Sequence, residues 1–387
     1  MWIFTSPKVV FGDDALEHLE NLRGRRAFFV TDANMVAFGF VEQVQQRLAV
    51  AGLESAVFAE VEPNPSLQTV RRAAQQMAEY QPDWIIGLGG GSAMDAAKAA
   101  WLLYECPDAD PAAINPMEEY GLRQKARLIA IPTTSGTGSE ATWATVLTDT
   151  DLQMKLAMGT PELMPDLAIV DSTLVLGLPP RITADTGMDV LTHAVEAYTN
   201  TMRNDFTDGM ALKAVDLVFK YLPRAYADGA DAEARGHMHN AAAIAGLAFG
   251  NSMLGLAHAM GHSLGAVLHV PHGRSVGMFL PYVVEFTANG GATRYSDIAH
   301  HVRLPAEDEE TGTAALVSAI RELSGQISFA TSLQALGIER AAFEQALPKL
   351  VANAEADNQI FFNARYADSD DLAKLFQYAY DGRSIDF

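Results

Sequence analysis

The sequence predicts a two-domain protein, with an N-terminal α/β domain around a mostly parallel sheet and an all-helical C-terminal domain. Its 387 residues exceed the usual size of a single hydrophobic core. Strand-like and helix-like segments alternate through the first half, which is typical of a parallel sheet covered by helices on both faces. From about Leu178 the strand-like segments stop, and Ala-, Leu- and Met-rich segments of helical length continue to the C-terminus.

Short runs of β-branched and aromatic residues mark the strands of the first domain. The predicted strands are 27–31, 56–59, 84–88, 128–131 and 167–170. Helical spacing of apolar residues between them predicts helices over 36–51, 67–80 and 93–104. Pro179-Pro180 lies near the expected junction, so the predicted domains are 1–180 and 181–387.

Composition limits the classes of partner. The net charge of −21 and the lack of a Lys/Arg-rich run argue against nucleic acid or an anionic membrane, because phosphates would be repelled. The expected partners are small molecules and copies of the chain.

Cys106 is the single cysteine, so no internal disulfide is expected, and the first residues lack the layout of a secretion signal. The most apolar stretch, 241–270, contains Asn251 and several histidines, so we expect it to form buried helix and not a membrane span. We therefore expect a cytoplasmic protein.

A glycine-rich turn follows the strand 84–88. Gly90, Gly91 and Ser92 stand where that strand runs into a helix. Glycines let the backbone approach a pyrophosphate, and a helix N-terminus presents free N–H groups and a positive dipole end. The alternative is a plain turn in which Ser92 caps the helix and Asp95 completes a capping box.

A second loop, 132–140, follows the next strand and contains hydroxyls and glycines, among them Thr133 and Thr134. It suits phosphates and ribose, although such loops are often plain connections. Two such loops after neighbouring strands favour a dinucleotide-binding domain. Asp32 follows the strand 27–31, where a carboxylate can bind a ribose diol and repel a 2′-phosphate. Otherwise Asp32 is a solvated turn residue.

A candidate metal site lies in the second half. Asp189 and His193 are four residues apart in a helical pattern, so they share one helix face. His258 and His262 are one helical turn apart in an apolar segment, and His272 follows a proline turn. Burying so many imidazoles is costly unless they find partners, and a common ion supplies one.

One carboxylate and several imidazoles suit Fe²⁺ or Zn²⁺, whereas Mg²⁺ and Ca²⁺ require more oxygen ligands. Taken singly, each histidine could be a hydrogen-bonded core residue, and the Asp189/His193 pair a hydrogen bond on a helix surface. Spacing gives no reason to choose the nearby His237, His239 or His269.

Taken together, the ordered motifs resemble the iron-containing (group III) alcohol dehydrogenases over nearly the whole chain. The motifs that carry the resemblance are 7–12, 30–32, 62–65, 89–92 with Asp95 and Lys98, 132–140, 187–193, 258–262 and 271–273. The resemblance implies a metal held by Asp189, His193, His258 and His272, with His262 beside the nicotinamide and not bound to the ion. It places around the cofactor Asp32, Asn64, Gly90, Gly91, Ser92, Thr133, Thr134, Thr142 and Lys155. It also implies an active site in the cleft between the domains and a homodimer or higher homo-oligomer.

The expected activity is hydride transfer between NAD(H) and a small, neutral primary alcohol or diol. A divalent ion, expected to be Fe²⁺ with Zn²⁺ as the alternative, would act as a Lewis acid, and His262 would relay a proton or orient the nicotinamide. The segment 241–273 contains no Lys or Arg, which argues against an anionic substrate at that wall. Phe249 is a candidate pocket residue.

Three alternatives remain at this point. The first is zinc-dependent polyol oxidation like that of glycerol dehydrogenases. The second is a lyase like the dehydroquinate synthases, which would need basic residues for its anionic substrate and would form no net NADH. The third is a non-catalytic sensor of nucleotide or metal, which would bind both without turnover.

Overall fold

The computed structural model describes residues 3–151, 154–291 and 293–387. It divides into two compact units, one ending at Leu176 and one beginning at Gly177. The strands all lie in the first unit: β1 (Lys8–Phe11), β2 (Arg26–Val30), β3 (Glu54–Phe58), β4 (Trp84–Gly89), β5 (Arg127–Pro132), β6 (Ala144–Asp149), β7 (Met154–Gly159) and β8 (Leu167–Val170). The prediction of an α/β part followed by a helical part is confirmed.

Six parallel strands form one sheet in the order β1-β8-β5-β4-β2-β3, and β6 and β7 form an antiparallel hairpin. Alternate residues of the central strands enter two cores on opposite faces, as a sheet buried on both sides requires. Phe28 and Ile85 pack on one face, whereas Phe29 and Ile86 pack on the other. The five predicted strands correspond to β2, β3, β4, β5 and β8, but short β1 and the hairpin were not predicted.

The helices of this unit are α1 (Ala33–Ala37), α2 (Phe40–Val50), α3 (Leu67–Tyr80) and α4 (Gly91–Glu105). Helices α3 and α4 cover one face of the sheet, and α2 covers the other. The predicted single helix over 36–51 is wrong. It divides at Gly39, whose φ of 77° lies in the left-handed region that favours glycine and ends a right-handed helix.

The order of strands creates a reversal beside β2. From β2 the chain proceeds to β3 at the sheet edge, then crosses to β4 on the opposite side of β2. Ligands of open α/β sheets bind at the carboxyl ends of the strands where the order reverses in this way. Asp32 follows β2 and Gly90 follows β4, so both stand at this reversal.

The second unit is helical throughout its described residues, around one large hydrophobic core. Its helices are α5 (Pro180–Thr199), α6 (Asp205–Ala227), α7 (Ala232–Phe249), α8 (Leu256–Leu268), α9 (His272–Asn289), α10 (Tyr295–His301), α11 (Glu309–Gln326), α12 (Arg340–Ala356) and α13 (Ser369–Asp381). The apolar stretch 241–270 spans the end of α7, a turn and all of α8. None of the described helices has the length and hydropathy to cross a bilayer.

Candidate metal and cofactor sites

Three helices of the second unit carry the predicted metal ligands. Asp189 and His193 lie one turn apart near the middle of α5, with 1% and 3% of their surfaces exposed. His258 is fully buried in α8. His272 is the first residue of α9, where Pro271 precedes it as the N-cap. The fold therefore brings one carboxylate and three imidazoles from distant segments to one place.

Glycines permit this close approach of helices. A Cβ atom on Gly273 would stand 2.3 Å from the Asp185 carbonyl oxygen on α5. A Cβ atom on Gly261 would stand 2.4 Å from Cγ1 of Val276, between α8 and α9. Because real contacts of this kind are longer, a larger side chain at either position would separate helices that carry the ligands.

The ligand atoms are mutually close. One atom each from Asp189, His193, His258 and His272 lies within 4.8 Å of the other three. Oδ1 of Asp189 is 3.7 Å from Nε2 of His193, 3.9 Å from Nε2 of His258 and 3.5 Å from Nε2 of His272. Ligand atoms about 2.1 Å from a tetrahedral ion are about 3.4 Å apart. These separations are close to those of a four-ligand transition-metal site.

The electrostatics of the group also fit a cation. Burial, together with the nearby Glu196 and Asp185, raises the pKa of Asp189 well above its usual value. Burial and the nearby His262 lower the pKa of His258 well below its usual value, which keeps the ring neutral as a ligand must be. Oδ1 of Asp189 and Nε2 of His258 are buried and hydrogen-bond to none of the described residues. A shared divalent cation would satisfy both atoms.

Glu196 contacts this group from the same helix as Asp189. Its Oε2 pairs with Nδ1 of His258 at 2.6 Å, and its Oε1 accepts a hydrogen bond from the Ala257 N–H at 2.6 Å. It thereby caps the first turn of α8, whose N-cap residue, Gly255, supplies no side chain. Burial raises the pKa of Glu196 to about 7, although N–H groups at the α8 terminus oppose this shift.

His262 lies beside the group but outside it. Its ring centroid is 5.8 Å from that of His258 and 5.4 Å from that of His272. Its Nδ1 pairs with Oδ2 of Asp357 at 2.8 Å. Phe249, the predicted pocket residue, stacks on the ring of His193 with centroids 4.3 Å apart. One further charged side chain near the site, Arg274, is paired with Asp185.

The three histidines that spacing did not select lie elsewhere in the second unit. His237 stacks on Tyr221, His239 is buried in α7, and His269 ends α8 in a left-handed conformation. None of them belongs to the group of mutually close ligand atoms found among the described residues.

In the first unit, the predicted phosphate turn forms the start of α4. Gly90 is the N-cap and Gly91 the first helical residue, so the alternative with Ser92 as the cap is wrong. Oγ of Ser92 instead accepts a hydrogen bond from the Asn64 N–H at 3.3 Å. Asp95 completes no capping box, because its carboxylate accepts hydrogen bonds from Ser139 and Val146. The N–H groups of the first turn of α4 therefore have no side-chain cap.

The second loop packs directly on this turn. The N–H of Thr133 donates to the carbonyl oxygen of Gly89 at 3.0 Å. A Cβ atom on Gly90 would stand 3.5 Å from Oγ1 of Thr134, and one on Gly91 would stand 2.8 Å from Cγ2 of Thr137. The two loops are therefore one surface, and Gly91 is required for their contact.

Asp32 lies at the edge of that surface. Its Oδ1 caps α1 by accepting a hydrogen bond from the Asn34 N–H at 2.8 Å. Its Oδ2 is 3.5 Å from the position of a Cβ atom on Gly89. The carboxylate thus serves as the turn residue of the alternative interpretation and also faces the glycine turn.

The remaining two cofactor candidates differ. The side chain of Thr142 is buried and accepts a hydrogen bond from Nζ of Lys98 at 3.3 Å, so it faces the interior. Lys155 lies directly opposite Thr148 in the hairpin, and Oγ1 of Thr148 donates to the Asn64 carbonyl. Burial lowers the pKa of the Lys155 ammonium. Lys155 is therefore on the face of the hairpin that meets the segment carrying Asn64.

Sequence reasoning missed Glu196 and Asp357. Glu196 had a signal, since it lies seven residues after Asp189 and therefore on a similar face of the same helix. Asp357 had none, because 95 residues separate it from His262.

Comparison with known proteins agrees with this geometry. The sequence models of the iron-containing alcohol dehydrogenase and of the family's C-terminal part match residues 6–172 and 183–380. The NADPH-dependent butanol dehydrogenase of Clostridium saccharobutylicum is 40% identical over 100% of both chains. The 1-propanol dehydrogenase PduQ of Citrobacter freundii is 38% identical, over 95% of this chain and 96% of its own. The crystal structure of a 1,3-propanediol oxidoreductase is 32% identical with a TM-score of 0.89, covering 98% of this chain and 100% of that one. The chain belongs to the iron-containing alcohol dehydrogenase family.

Proposed function

We propose that this protein interconverts a small, neutral primary alcohol or diol and its aldehyde, with NAD(H) as the hydride carrier and iron as the metal. The observation that carries the proposal is the four-ligand group in which Oδ1 of Asp189 and Nε2 of His258 are buried without hydrogen bonds. When bound, a divalent ion supplies Lewis-acid polarisation of the substrate oxygen. The residues that would hold it are Asp189, His193, His258 and His272.

The chain's own residues supply the rest of the reaction. His262 stands beside the ligands with Nδ1 paired to Asp357, so the proposal assigns it the proton relay or the contact with the nicotinamide. Phe249 covers the ring of His193 and offers an apolar wall to a short carbon chain. The guanidinium of Arg274 is already paired with Asp185, and this carboxylate offsets its charge toward a substrate carboxylate. This pairing favours a neutral substrate over the anionic substrate of the lyase alternative.

The surface formed by the two loops of the first unit is the proposed cofactor site. The uncapped N–H groups at the start of α4 suit a pyrophosphate. Lys155 lies on the hairpin face that meets the segment of Asn64, whose N–H donates to Ser92 of that turn. We propose NAD over NADP, because the carboxylate of Asp32 faces the glycine turn and would repel a 2′-phosphate. The butanol dehydrogenase relative is NADPH-dependent, so the test compares NAD(H) with NADP(H) for each substrate.

The test is a screen of NADH formation and consumption by anaerobically prepared, Fe²⁺-loaded protein. The substrates are 1-propanol, 1-butanol, 1,3-propanediol, glycerol and the matching aldehydes, each with NAD(H) and with NADP(H). We expect turnover of the primary alcohols and aldehydes, loss of turnover with a chelator, and recovery on adding Fe²⁺. The same screen with Zn²⁺-loaded protein compares the two metals. Light scattering measures the oligomeric state, which we propose to be a homodimer or higher homo-oligomer. Metal and cofactor binding without turnover of any substrate would refute the proposal and favour the sensor.

A further inference from the structure

Two carboxylates that are not among the four ligands each pair with a histidine of α8. Oε2 of Glu196 is 2.6 Å from Nδ1 of His258, and Oδ2 of Asp357 is 2.8 Å from Nδ1 of His262. All four side chains are buried or nearly so, with exposures between 1% and 12%. The two histidines lie one turn apart on one helix, and their carboxylate partners come from different elements.

A neutral imidazole carries one N–H, so the partner of one nitrogen determines the state of the other. In its ionised form, which a bound cation favours, a carboxylate only accepts, so it selects the ring form with hydrogen on Nδ1 and a lone pair on Nε2. For His258 that lone pair is on the buried Nε2, which is 3.9 Å from Oδ1 of Asp189. For His262 the lone pair is likewise on Nε2, but this residue is not one of the four that form the group of ligand atoms.

Each carboxylate is held by a second contact that prevents it from turning. Oε1 of Glu196 accepts from the Ala257 N–H at the start of α8, and Gly255 leaves no space beside it, since a Cβ there would be 3.0 Å away. Oδ1 of Asp357 accepts from the Gln359 N–H at 2.9 Å. One oxygen of each carboxylate is therefore anchored on the backbone while the other faces its histidine.

We propose that Glu196 and Asp357 are positioning residues that give the two histidines of α8 different roles. Glu196 holds His258 with its Nε2 lone pair toward the metal. Asp357 holds His262 with its Nε2 lone pair available to accept a proton or contact the cofactor. The inference rests on the proposed function, and it adds residues that act through the histidines and not on the substrate.

Amide substitutions test the assignment, because an amide has the shape of a carboxylate but only one accepting oxygen. In Glu196→Gln the oxygen is expected to stay on the Ala257 N–H, which turns the NH₂ toward Nδ1 of His258. The ring then moves its hydrogen to Nε2, where it blocks the metal. In Asp357→Asn the same exchange moves the hydrogen of His262 to Nε2, away from the metal ligands.

The experiment compares wild type, Glu196→Gln and Asp357→Asn. The measurements are Zn²⁺ affinity by competition with a chelator, thermal midpoints of the metal-free proteins, and ¹⁵N-histidine NMR of the ring forms. We expect Glu196→Gln to bind Zn²⁺ about 10–100-fold more weakly, the usual effect of removing a partner of a ligand histidine. Asp357→Asn should retain the wild-type affinity within about threefold, while its His262 changes to the Nε2–H form and kcat falls by about 10²–10⁴-fold.

The outcomes separate the inference from the function on which it rests. Unchanged Zn²⁺ affinity in a folded Glu196→Gln, or an equal loss of Zn²⁺ in Asp357→Asn, would overturn the inference. So would a wild-type spectrum in which His258 or His262 carries hydrogen on Nε2. If Glu196→Gln does not fold, the results for Asp357→Asn and the wild-type spectrum still decide whether the inference stands. If wild type binds Zn²⁺ but reduces no aldehyde, the proposed function fails while the Zn²⁺ and NMR results still judge the two carboxylates.

Discussion

Substituting Gly273 by alanine should weaken metal binding without touching any ligand. Gly273 follows the ligand His272 at the start of α9, where the added methyl group would stand 2.3 Å from the carbonyl oxygen of Asp185 and 3.1 Å from Cβ of Asp189. Contacts of a Cβ atom below 3.0 Å are essentially absent from real structures, so the first turn of α9 must move by at least 3.0 − 2.3 = 0.7 Å. The backbone of α5 cannot give way easily, because that helix is buried along most of its length.

The magnitude follows from that displacement. Metal–ligand distances tolerate changes of about 0.2 Å, so a shift of this size moves His272 out of bonding range. Overpacking of this kind costs about 1–3 kcal/mol, which corresponds to about 5–150-fold in affinity if the strain is relieved at the ion. We expect the affinity for Zn²⁺ or Fe²⁺ to fall by an amount within this range. The metal-free protein should change little in stability, because it can relax by moving His272 away.

The assay is competition with a chelator, with Gly209→Ala as the matched control. Gly209 lies within α6, and a Cβ atom there would meet no other atom within 4 Å. Alanine at Gly209 should therefore leave metal affinity unchanged and increase the stability of the helix by about 1 kcal/mol. If Gly273→Ala binds the ion as tightly as wild type, then the close approach of α5 and α9 does not position His272.

Three further predictions concern the cofactor, the two histidines and a buried acid. Asp32→Ser keeps an N-cap for α1 but removes the negative charge, so the kcat/KM for NAD divided by that for NADP should fall by about 5–150-fold. If this ratio does not change, Asp32 is only a turn residue. His258→Ala should lose its metal, whereas His262→Ala should retain it and lose about 10²–10⁴-fold in kcat; the reverse pattern in metal analysis would exchange their roles. Burial raises the pKa of Glu140 to about 7 from its usual 4.5. In the unfolded chain this carboxyl loses its proton near pH 4.5, whereas in the folded protein it keeps the proton up to about pH 7. The free energy of unfolding of wild type should therefore fall by up to about 3 kcal/mol as the pH rises from 4.5 to 7, and Glu140→Gln should not show this fall. Denaturant titrations of both proteins at pH 5 and pH 8 measure this difference, and parallel curves would exclude a raised pKa.

Much of the fold could be predicted from local pattern. Alternating apolar runs and helical spacing lie within single elements, so β2, β4, β5 and the change to helices after residue 178 were visible in the sequence. Local patterns did not predict the structure where the conformation depends on a single residue or on a strand that is distant in the sequence. Gly39 divides a helix that periodicity predicts as continuous, and β1 is a strand because it pairs with β8, which lies more than 150 residues away.

The candidate site shows the same division. Spacing alone put Asp189 with His193 and His258 with His262, because four residues advance a helix by about one turn. Spacing is identical for the two histidines of α8, so it could not distinguish a ligand from a neighbour. The tertiary structure distinguishes them by bringing Glu196 to one and Asp357 to the other. Such contacts depend on how helices pack, and packing is decided by the whole core and not by any local run of residues.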